Sequence, residues 1–87
     1  MVEASTKIVN ATGMHAQAAA SFISFLHQFG NCNITIIKDT KIANAKSILN
    51  LLILGLNQGC QITVRVEGTG EQHVLEQVIH YIENMTD

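Results

Sequence analysis

The sequence has little positive charge and no long apolar run. Five lysines and arginines stand against seven aspartates and glutamates, and the only arginine is Arg65. A protein that holds nucleic acid needs a basic stripe, and none is present here. The longest apolar run, residues 51–54, is far shorter than the roughly 20 residues that cross a bilayer, and no apolar leader opens the chain. We therefore expect a soluble, cytoplasmic protein with no membrane span and no nucleic-acid partner.

Cysteine is scarce as well, and no residues stand at metal-ligand spacings. Cys32 and Cys60 are far apart in the chain, and we interpret both as small buried hydrophobic residues of a reducing compartment. His73 and His80 are farther apart than the three or four positions that a helical metal pair prefers. The Gly68-Thr69-Gly70 turn is followed by neither a third glycine nor a P-loop lysine. The sequence therefore predicts no metal, nucleotide or other cofactor.

The length and the apolar content suit one compact domain. The chain has 87 residues, of which 47% are hydrophobic; it is large enough for a single core but too short for two. We therefore predict one domain over residues 1–87. Only 14% of the residues are charged, which leaves more apolar surface than a small domain hides. Part of this surface is expected to meet a partner.

Alternation of apolar and polar residues predicts four strands. They are expected over residues 6–10, 33–38, 41–44 and 61–67. The middle two form a predicted hairpin across the Asp39-Thr40 turn. The last strand has the clearest alternation, with Ile62, Val64 and Val66 pointing inward.

Apolar residues that recur every three or four positions predict three helices. The first covers residues 16–29 and is ended by Gly30, while the second covers 47–54, capped by Ser47 and closed by Gly55. The third follows Gly70, and its apolar face consists of Val74, Leu75, Val78, Ile82 and Met85. The order βαββαβα predicts an α+β open-faced β-sandwich, with a four-stranded, mainly antiparallel sheet and three helices on one face.

The stretch around His15 carries the clearest chemical signal. Gly13 takes backbone conformations closed to other residues, and the alanines after His15 begin a helix at once. His15 is therefore expected at a helix N-terminus, where unpaired N–H groups and the positive end of the dipole favour an anion. A neutral ring nitrogen there is free to attack phosphorus. The pattern indicates a phosphohistidine site, although a loop histidine that merely caps its helix poorly has the same signature.

A family resemblance rests on this stretch. Residues Gly13-Met14-His15-Ala16-Gln17-Ala18-Ala19 resemble the active-site motif of HPr, the histidine phosphocarrier of the bacterial sugar phosphotransferase system. The resemblance extends from about Thr6 to Asn84. It implies that His15 takes a phosphoryl group on Nδ1 from phosphorylated enzyme I and passes it to IIA-type sugar permease components.

One position departs from the motif, because the family has arginine where this chain has Gln17. An arginine pairs with phosphate and offsets its charge, whereas a glutamine amide offers only a neutral hydrogen bond. We therefore predict that Gln17 makes a weakened phosphate contact. Lys46 or the helix terminus alone is the alternative source of the missing stabilisation.

A second segment, residues 41–55, resembles the regulatory serine segment of HPr, with Ser47 as the serine. The resemblance implies phosphorylation of Ser47 by an ATP-dependent kinase, reversed by a phosphatase, with a transcriptional regulator as a further partner. A serine that only caps its helix would account for the residue equally well.

The helix predicted over residues 47–54 has more apolar residues than its core-facing side can bury. With Leu51, Leu54 and Leu56 assigned to the core, an exposed patch beside His15 is predicted from Ile48, Leu49 and Leu52. In HPr the matching surface docks enzyme I and the IIA components, and Met14 is counted here as a further partner contact. Partial burial and self-association are the alternatives for this patch.

Two functions of different kinds follow from these motifs. The first is a phosphocarrier that relays a phosphoryl group through His15 and is not a stand-alone catalyst. The second is a regulatory paralogue, a protein-binding module controlled at Ser47 with little carrier flux, for which the loss of the arginine matters little. Retention of His15 favours the carrier, and Gln17 favours the regulator. An interaction domain outside the phosphotransferase system is a third reading.

Overall fold

The computed structural model describes residues 1–87 without a gap. Its elements are β1 Val2–Lys7, α1 Ala16–Leu26, β2 Cys32–Lys38, β3 Lys41–Asn44, α2 Ile48–Leu54, β4 Gln61–Gly68 and α3 Glu71–Glu83. The strands form one sheet in the spatial order β1-β4-β2-β3, and every neighbouring pair is antiparallel. The three helices pack on one face of this sheet, so the predicted βαββαβα open-faced sandwich is confirmed.

The core lies between the sheet and the helices. On β4, Ile62, Val64 and Val66 are buried, while the alternate residues Thr63 and Arg65 face away from the helices, as the alternation predicts. Ile34 and Ile36 of β2 lie beside them on the same face of the sheet, and the helices cover this face with the buried side chains of Phe22, Leu26, Leu51, Val78 and Ile82. Burial on one face therefore sets the register of the central strands.

The first strand differs from the prediction, since it covers Val2–Lys7 and not residues 6–10. Small and polar side chains in β1 weaken its apolar signal, although it pairs with β4 over its whole length. Ile8 is buried just beyond the strand, and its N–H donates to the carbonyl oxygen of Cys60 at 3.0 Å. The Asn10 side chain is then buried and donates a hydrogen bond to the Gly13 carbonyl in the following loop, which ends the alternation.

The first helix ends at Leu26, three residues before the predicted end at 29. The N–H of Phe29 donates to the carbonyl oxygen of Leu26 at 2.9 Å, so the chain leaves the helix in a tight turn. Phe29 still packs against the core, which explains why the apolar spacing continued past the helix end. Phe25 is half-buried and stacks on Tyr81 of α3, with 4.5 Å between ring centroids.

The second helix has the predicted ends. Ser47 is its N-cap and its hydroxyl accepts the Asn50 N–H at 3.4 Å, while Gly55 closes it in the left-handed conformation at φ 68°. Leu51 and Leu54 are buried, as predicted. The cysteines are both free; Cys32 is buried and Cys60 is only half-buried, which corrects the interpretation of Cys60 as a buried residue. Every helix is too short or too polar to span a bilayer.

Candidate functional site

His15 is positioned by the glycine turn that precedes it. Gly13 adopts φ +69°, and a Cβ at this position would collide with the carbonyl oxygen of Leu56 and approach Asn57 Cα to 2.9 Å. The next N–H, that of Met14, donates to the same Leu56 carbonyl at 2.8 Å. Only glycine fits this close approach, and the turn delivers His15 to the N-cap position of α1, as the sequence predicts.

The N-terminus of α1 is open. His15 has extended backbone angles and its side chain makes no capping hydrogen bond, and no acidic residue lies in the first turn. The N–H groups of Ala16, Gln17 and Ala18 donate to no acceptor in the chain. Free N–H groups at the positive end of a helix dipole favour an anion, and a phosphoryl group on the adjacent ring matches that preference.

A chain of hydrogen bonds holds the imidazole from outside the helix. His15 Nε2 lies 2.9 Å from Thr12 Oγ1, and that hydroxyl donates to Asp87 Oδ1 at 2.7 Å. Asp87 Oδ1 also accepts the Thr12 N–H at 3.2 Å and the Asn10 side-chain amide at 3.1 Å. These donors, the Thr12 hydroxyl first among them, lower the pKa of the Asp87 carboxyl below its ordinary value.

Asn10 anchors this arrangement in the core. Its side chain is buried, and the amide nitrogen donates to the carbonyl oxygen of Gly13 at 2.7 Å as well as to Asp87. Its Oδ1 is buried without a partner. Asn10, Thr12 and Asp87 were not predicted as site residues. Thr12 flanks the histidine motif, whereas nothing in the sequence links it to a residue at the far end of the chain.

A cleft of about 670 Å³ opens between the start of α1 and the last turns of the chain. His15, Gln17 and Ser21 line one side of it, and His80, Tyr81 and Asn84 are among the residues that line the other. No lysine or arginine borders the cleft. The predicted pair of His15 and Gln17 is therefore brought together, and His80, predicted to be only solvated, is exposed but shares the cleft.

Lys46 does not reach this cleft. Its ammonium group donates to the carbonyl oxygens of Phe29 at 2.9 Å and Cys32 at 3.0 Å, at the start of the hairpin. This geometry contradicts the idea that Lys46 replaces the missing arginine. The remaining source of charge stabilisation is the open N-terminus of α1.

The apolar patch on α2 is exposed. Leu49 is 65% exposed, and Ile48 and Leu52 are also exposed, as predicted. Ile53 is 64% exposed and extends the patch, although the sequence analysis did not assign it. Leu52 lines a small hollow together with Thr12 and His15, so the patch is continuous with His15. We call these four residues, Ile48, Leu49, Leu52 and Ile53, the α2 patch.

Met14 is the exception among the predicted contacts. Its side chain is only 3% exposed and belongs to the hydrophobic core, which contradicts its assignment as a partner contact. The Met14 N–H bond to the Leu56 carbonyl holds the loop against the domain, and the side chain packs in the core.

Comparison with known proteins decides the family. A family model described as "PTS HPr component phosphorylation site" matches residues 2–84. The chain belongs to the HPr family. HPr-like protein Crh from Halalkalibacterium halodurans is 40% identical over 83 residues, which is 95% of this chain and 98% of that relative. Phosphocarrier protein HPr from Xylella fastidiosa is 31% identical over 84 residues, or 97% and 93% of the two chains.

HPr structures confirm the fold. A crystal structure of HPr from Thermoanaerobacter tengcongensis matches with a TM-score of 0.88 and 36% identity, over 95% of this chain and 92% of that one. The resemblance of the His15 motif to HPr is thereby confirmed at the level of the family. HPr membership also connects this chain with the phosphotransferase system, whose enzyme I and IIA proteins are the partners of the family.

Proposed function

We propose that this HPr-family protein is a phosphocarrier in which His15 accepts a phosphoryl group from phosphorylated enzyme I and passes it to a IIA-type acceptor. The observation that carries the proposal is the placement of an exposed imidazole at the uncapped N-terminus of α1. Nε2 contacts Thr12, whereas Nδ1 has no hydrogen-bond partner and is free to react. The sequence prediction of phosphate on Nδ1 is part of the proposal.

The transfer needs only one new bond in this chain. The Nδ1 lone pair forms the bond to phosphorus as the bond between phosphorus and enzyme I breaks, and that electron pair stays with enzyme I. The phosphoryl oxygens then meet the free N–H groups of Ala16, Gln17 and Ala18, already oriented before the reaction. The Gln17 amide adds a neutral hydrogen bond where an arginine would add charge.

The α2 patch supplies the docking surface in this proposal. Transfer between two proteins requires that water leave the interface and that donor and acceptor align. An exposed aliphatic surface continuous with His15 through Leu52 meets both requirements. Enzyme I and the IIA acceptor would use this surface in turn, because each must approach the same imidazole.

A reconstituted relay tests the carrier function. Phosphoenolpyruvate, enzyme I and a IIA acceptor should yield phosphorylated IIA only when this protein is added, and an acid-labile, base-stable phosphate should be found on the carrier. His15→Ala should abolish both signals. Labelling that persists in His15→Ala, or a relay that runs equally well without the protein, would contradict the proposal.

The second candidate is a regulatory module controlled at Ser47, and two observations favour it. Gln17 lacks the charge of the family arginine, and the relatives include proteins named HPr-like protein Crh. Incubation with ATP and a bacterial HPr serine kinase should then label Ser47, with Ser47→Ala unlabelled. A phosphatase would reverse the labelling, and a transcriptional regulator would bind the phosphorylated form. Both candidate functions are proposed for the cytoplasm.

A further inference from the structure

We propose that Thr12 and the C-terminal residue Asp87 are positioning residues that fix the tautomer of His15 and thereby select Nδ1 as the nucleophile. The proposal rests on the phosphocarrier function above, which makes the choice of ring nitrogen matter. Neither residue touches the transferred group in this scheme. Both act through the imidazole, whose Nε2 is the end of their hydrogen-bond chain.

The protons available on Asp87, Thr12 and His15 determine which atom donates in each hydrogen bond. An ionised carboxylate is an acceptor only, and Asp87 is favoured in that form by the Thr12 hydroxyl, the Thr12 N–H and the Asn10 amide. The Thr12 hydroxyl has a single proton, which it donates to Asp87 Oδ1 over 2.7 Å. At 2.9 Å from His15 Nε2, the same hydroxyl oxygen is left with acceptor capacity alone. Nε2 must therefore carry the ring proton.

The tautomer determines the reactive atom. A neutral imidazole has one N–H, so a proton on Nε2 leaves the lone pair on Nδ1. The bond to Thr12 also survives the reaction, because phosphorylation at Nδ1 leaves the Nε2 proton in place. Thr12 and Asp87 would thus hold the ring in one orientation before and after transfer.

Removal of the Asp87 side chain should reverse the preference of the ring proton for Nε2, which is a specific expectation of the proposal. Asp87→Ala removes the side-chain carboxylate to which the Thr12 hydroxyl donates, so the hydroxyl is free to donate to Nε2, which favours the proton on Nδ1. Thr12→Val has a different effect, because it removes the hydroxyl and leaves the ring without a preference from this source. A purely structural tether would predict no change of tautomer in either variant.

The test is nuclear magnetic resonance of the unphosphorylated protein with 15N-labelled histidine, at a pH where His15 is neutral. Two-bond 1H–15N correlations identify which ring nitrogen carries the proton. The wild type should show the Nε2–H form, and Thr12→Val should lower the ratio of Nε2–H to Nδ1–H by about five- to tenfold, the effect of one neutral hydrogen bond. Asp87→Ala should lower it further. Thr12→Ser, which keeps the hydroxyl, and Thr86→Ala, on the same cleft, should match the wild type.

The outcomes separate this proposal from the carrier function. A wild type in the Nδ1–H form, or variants at Thr12 and Asp87 with unchanged ratios, would overturn the positioning role whether or not the protein is phosphorylated. The spectra need no enzyme I, so a failed relay leaves the tautomer result intact. Conversely, a relay that works with an unbiased tautomer would retain the carrier function and remove the role of Asp87.

Discussion

The two short helices beside the site present opposite surfaces. The first, α1, buries the apolar stripe of Ala19, Phe22 and Leu26, and leaves its N-terminus open behind an N-cap histidine that makes no capping bond. The second, α2, closes its N-terminus with the hydroxyl of Ser47 and leaves an apolar face in solvent. One helix therefore has free N–H groups beside an exposed imidazole, and the other has an exposed apolar face.

The difference follows from the capping residues. A serine hydroxyl accepts a first-turn N–H, so α2 has a side-chain cap within the chain. The His15 ring instead turns to Thr12, and its own helix end is left for another ligand. The same position relative to a helix thus holds a side-chain cap in one case and leaves free N–H groups in the other. In our account, His15 at the start of α1 takes the phosphoryl group, and the α2 patch binds the partner protein.

The largest expected effect concerns docking. Leu49→Asp should weaken binding to phosphorylated enzyme I by about 30-fold or more, because it places a charge in the centre of an apolar contact. Stability should change by less than about 1 kcal/mol, since Leu49 is exposed. The matched control is Ile42→Asp, which alters a side chain that is 66% exposed on the helix-free face of the sheet.

Binding measured by calorimetry and unfolding measured with urea decide this prediction together. A loss of several kcal/mol of stability in Leu49→Asp would show that the residue belongs to the core. Equal affinity in both aspartate variants would show that the α2 patch is not the docking surface, and the contrast between the two helices would fail.

Gln17→Arg should have the next largest effect, a rise of about tenfold in the rate of phosphoryl transfer to His15. A charge-assisted hydrogen bond exceeds a neutral one by about 1 to 2 kcal/mol, and about 1.4 kcal/mol corresponds to one decade in rate. Single-turnover transfer from phosphorylated enzyme I measures it, with Gln77→Arg as a control that adds the same charge to an exposed site on α3. Equal, fast rates in the wild type, Gln17→Arg and Gln77→Arg would mean that the helix terminus alone stabilises the transferred phosphoryl group.

The caps themselves should differ in stability. Ser47→Ala should lower the free energy of unfolding by about 1 kcal/mol, because α2 loses its side-chain cap. His15→Ala should change it by less than about 0.5 kcal/mol, since the ring makes no capping bond. Urea unfolding of the two variants makes the comparison. A larger loss in His15→Ala than in Ser47→Ala would reverse our reading of the two helix ends.

The smallest expected effect is that of acid, which should change the surroundings of the α1 N-terminus but not those of the α2 N-terminus. The pKa of Asp87 is lowered in the folded protein, chiefly by the Thr12 hydroxyl, so its contribution is present above the unfolded pKa and is lost as the pH falls through the folded one. Amide shifts of Thr12 and His15 should therefore move together in that acidic range, while those of Ser47 stay constant. Shifts of all three residues at one midpoint would indicate general unfolding instead.

Much of this molecule follows from local sequence patterns. Alternation located β4, and apolar spacing with Ser47 and Gly55 located α2, because burial on one face and a capped end leave a direct imprint on the sequence. Gly13 and His15 indicated the loop before α1, because a glycine turn followed by helix-forming alanines is also a local pattern. The start of β1 escaped because its side chains are short or polar, so its place depends on pairing with β4.

The parts that the sequence did not reveal depend on distant contacts. Asp87 meets Thr12 only after α3 has packed against the sheet, and no local pattern encodes that meeting. Met14 was misassigned because an apolar residue beside the motif histidine fits a docking surface and a core equally well; only the folded structure shows that its side chain is buried. Family membership supports the proposed reaction, and the hydrogen bonds of Thr12 and Asp87 support the proposed choice of ring nitrogen.

The most direct test of the account is the position of the phosphate after incubation of the wild-type protein with phosphoenolpyruvate and enzyme I. Magnetic resonance of 15N-labelled protein should show one phosphate bonded to Nδ1 of His15, beside the open end of α1, and none on Ser47. Attachment at Nε2, phosphate found only on Ser47, or no phosphate with several different enzymes I would contradict it.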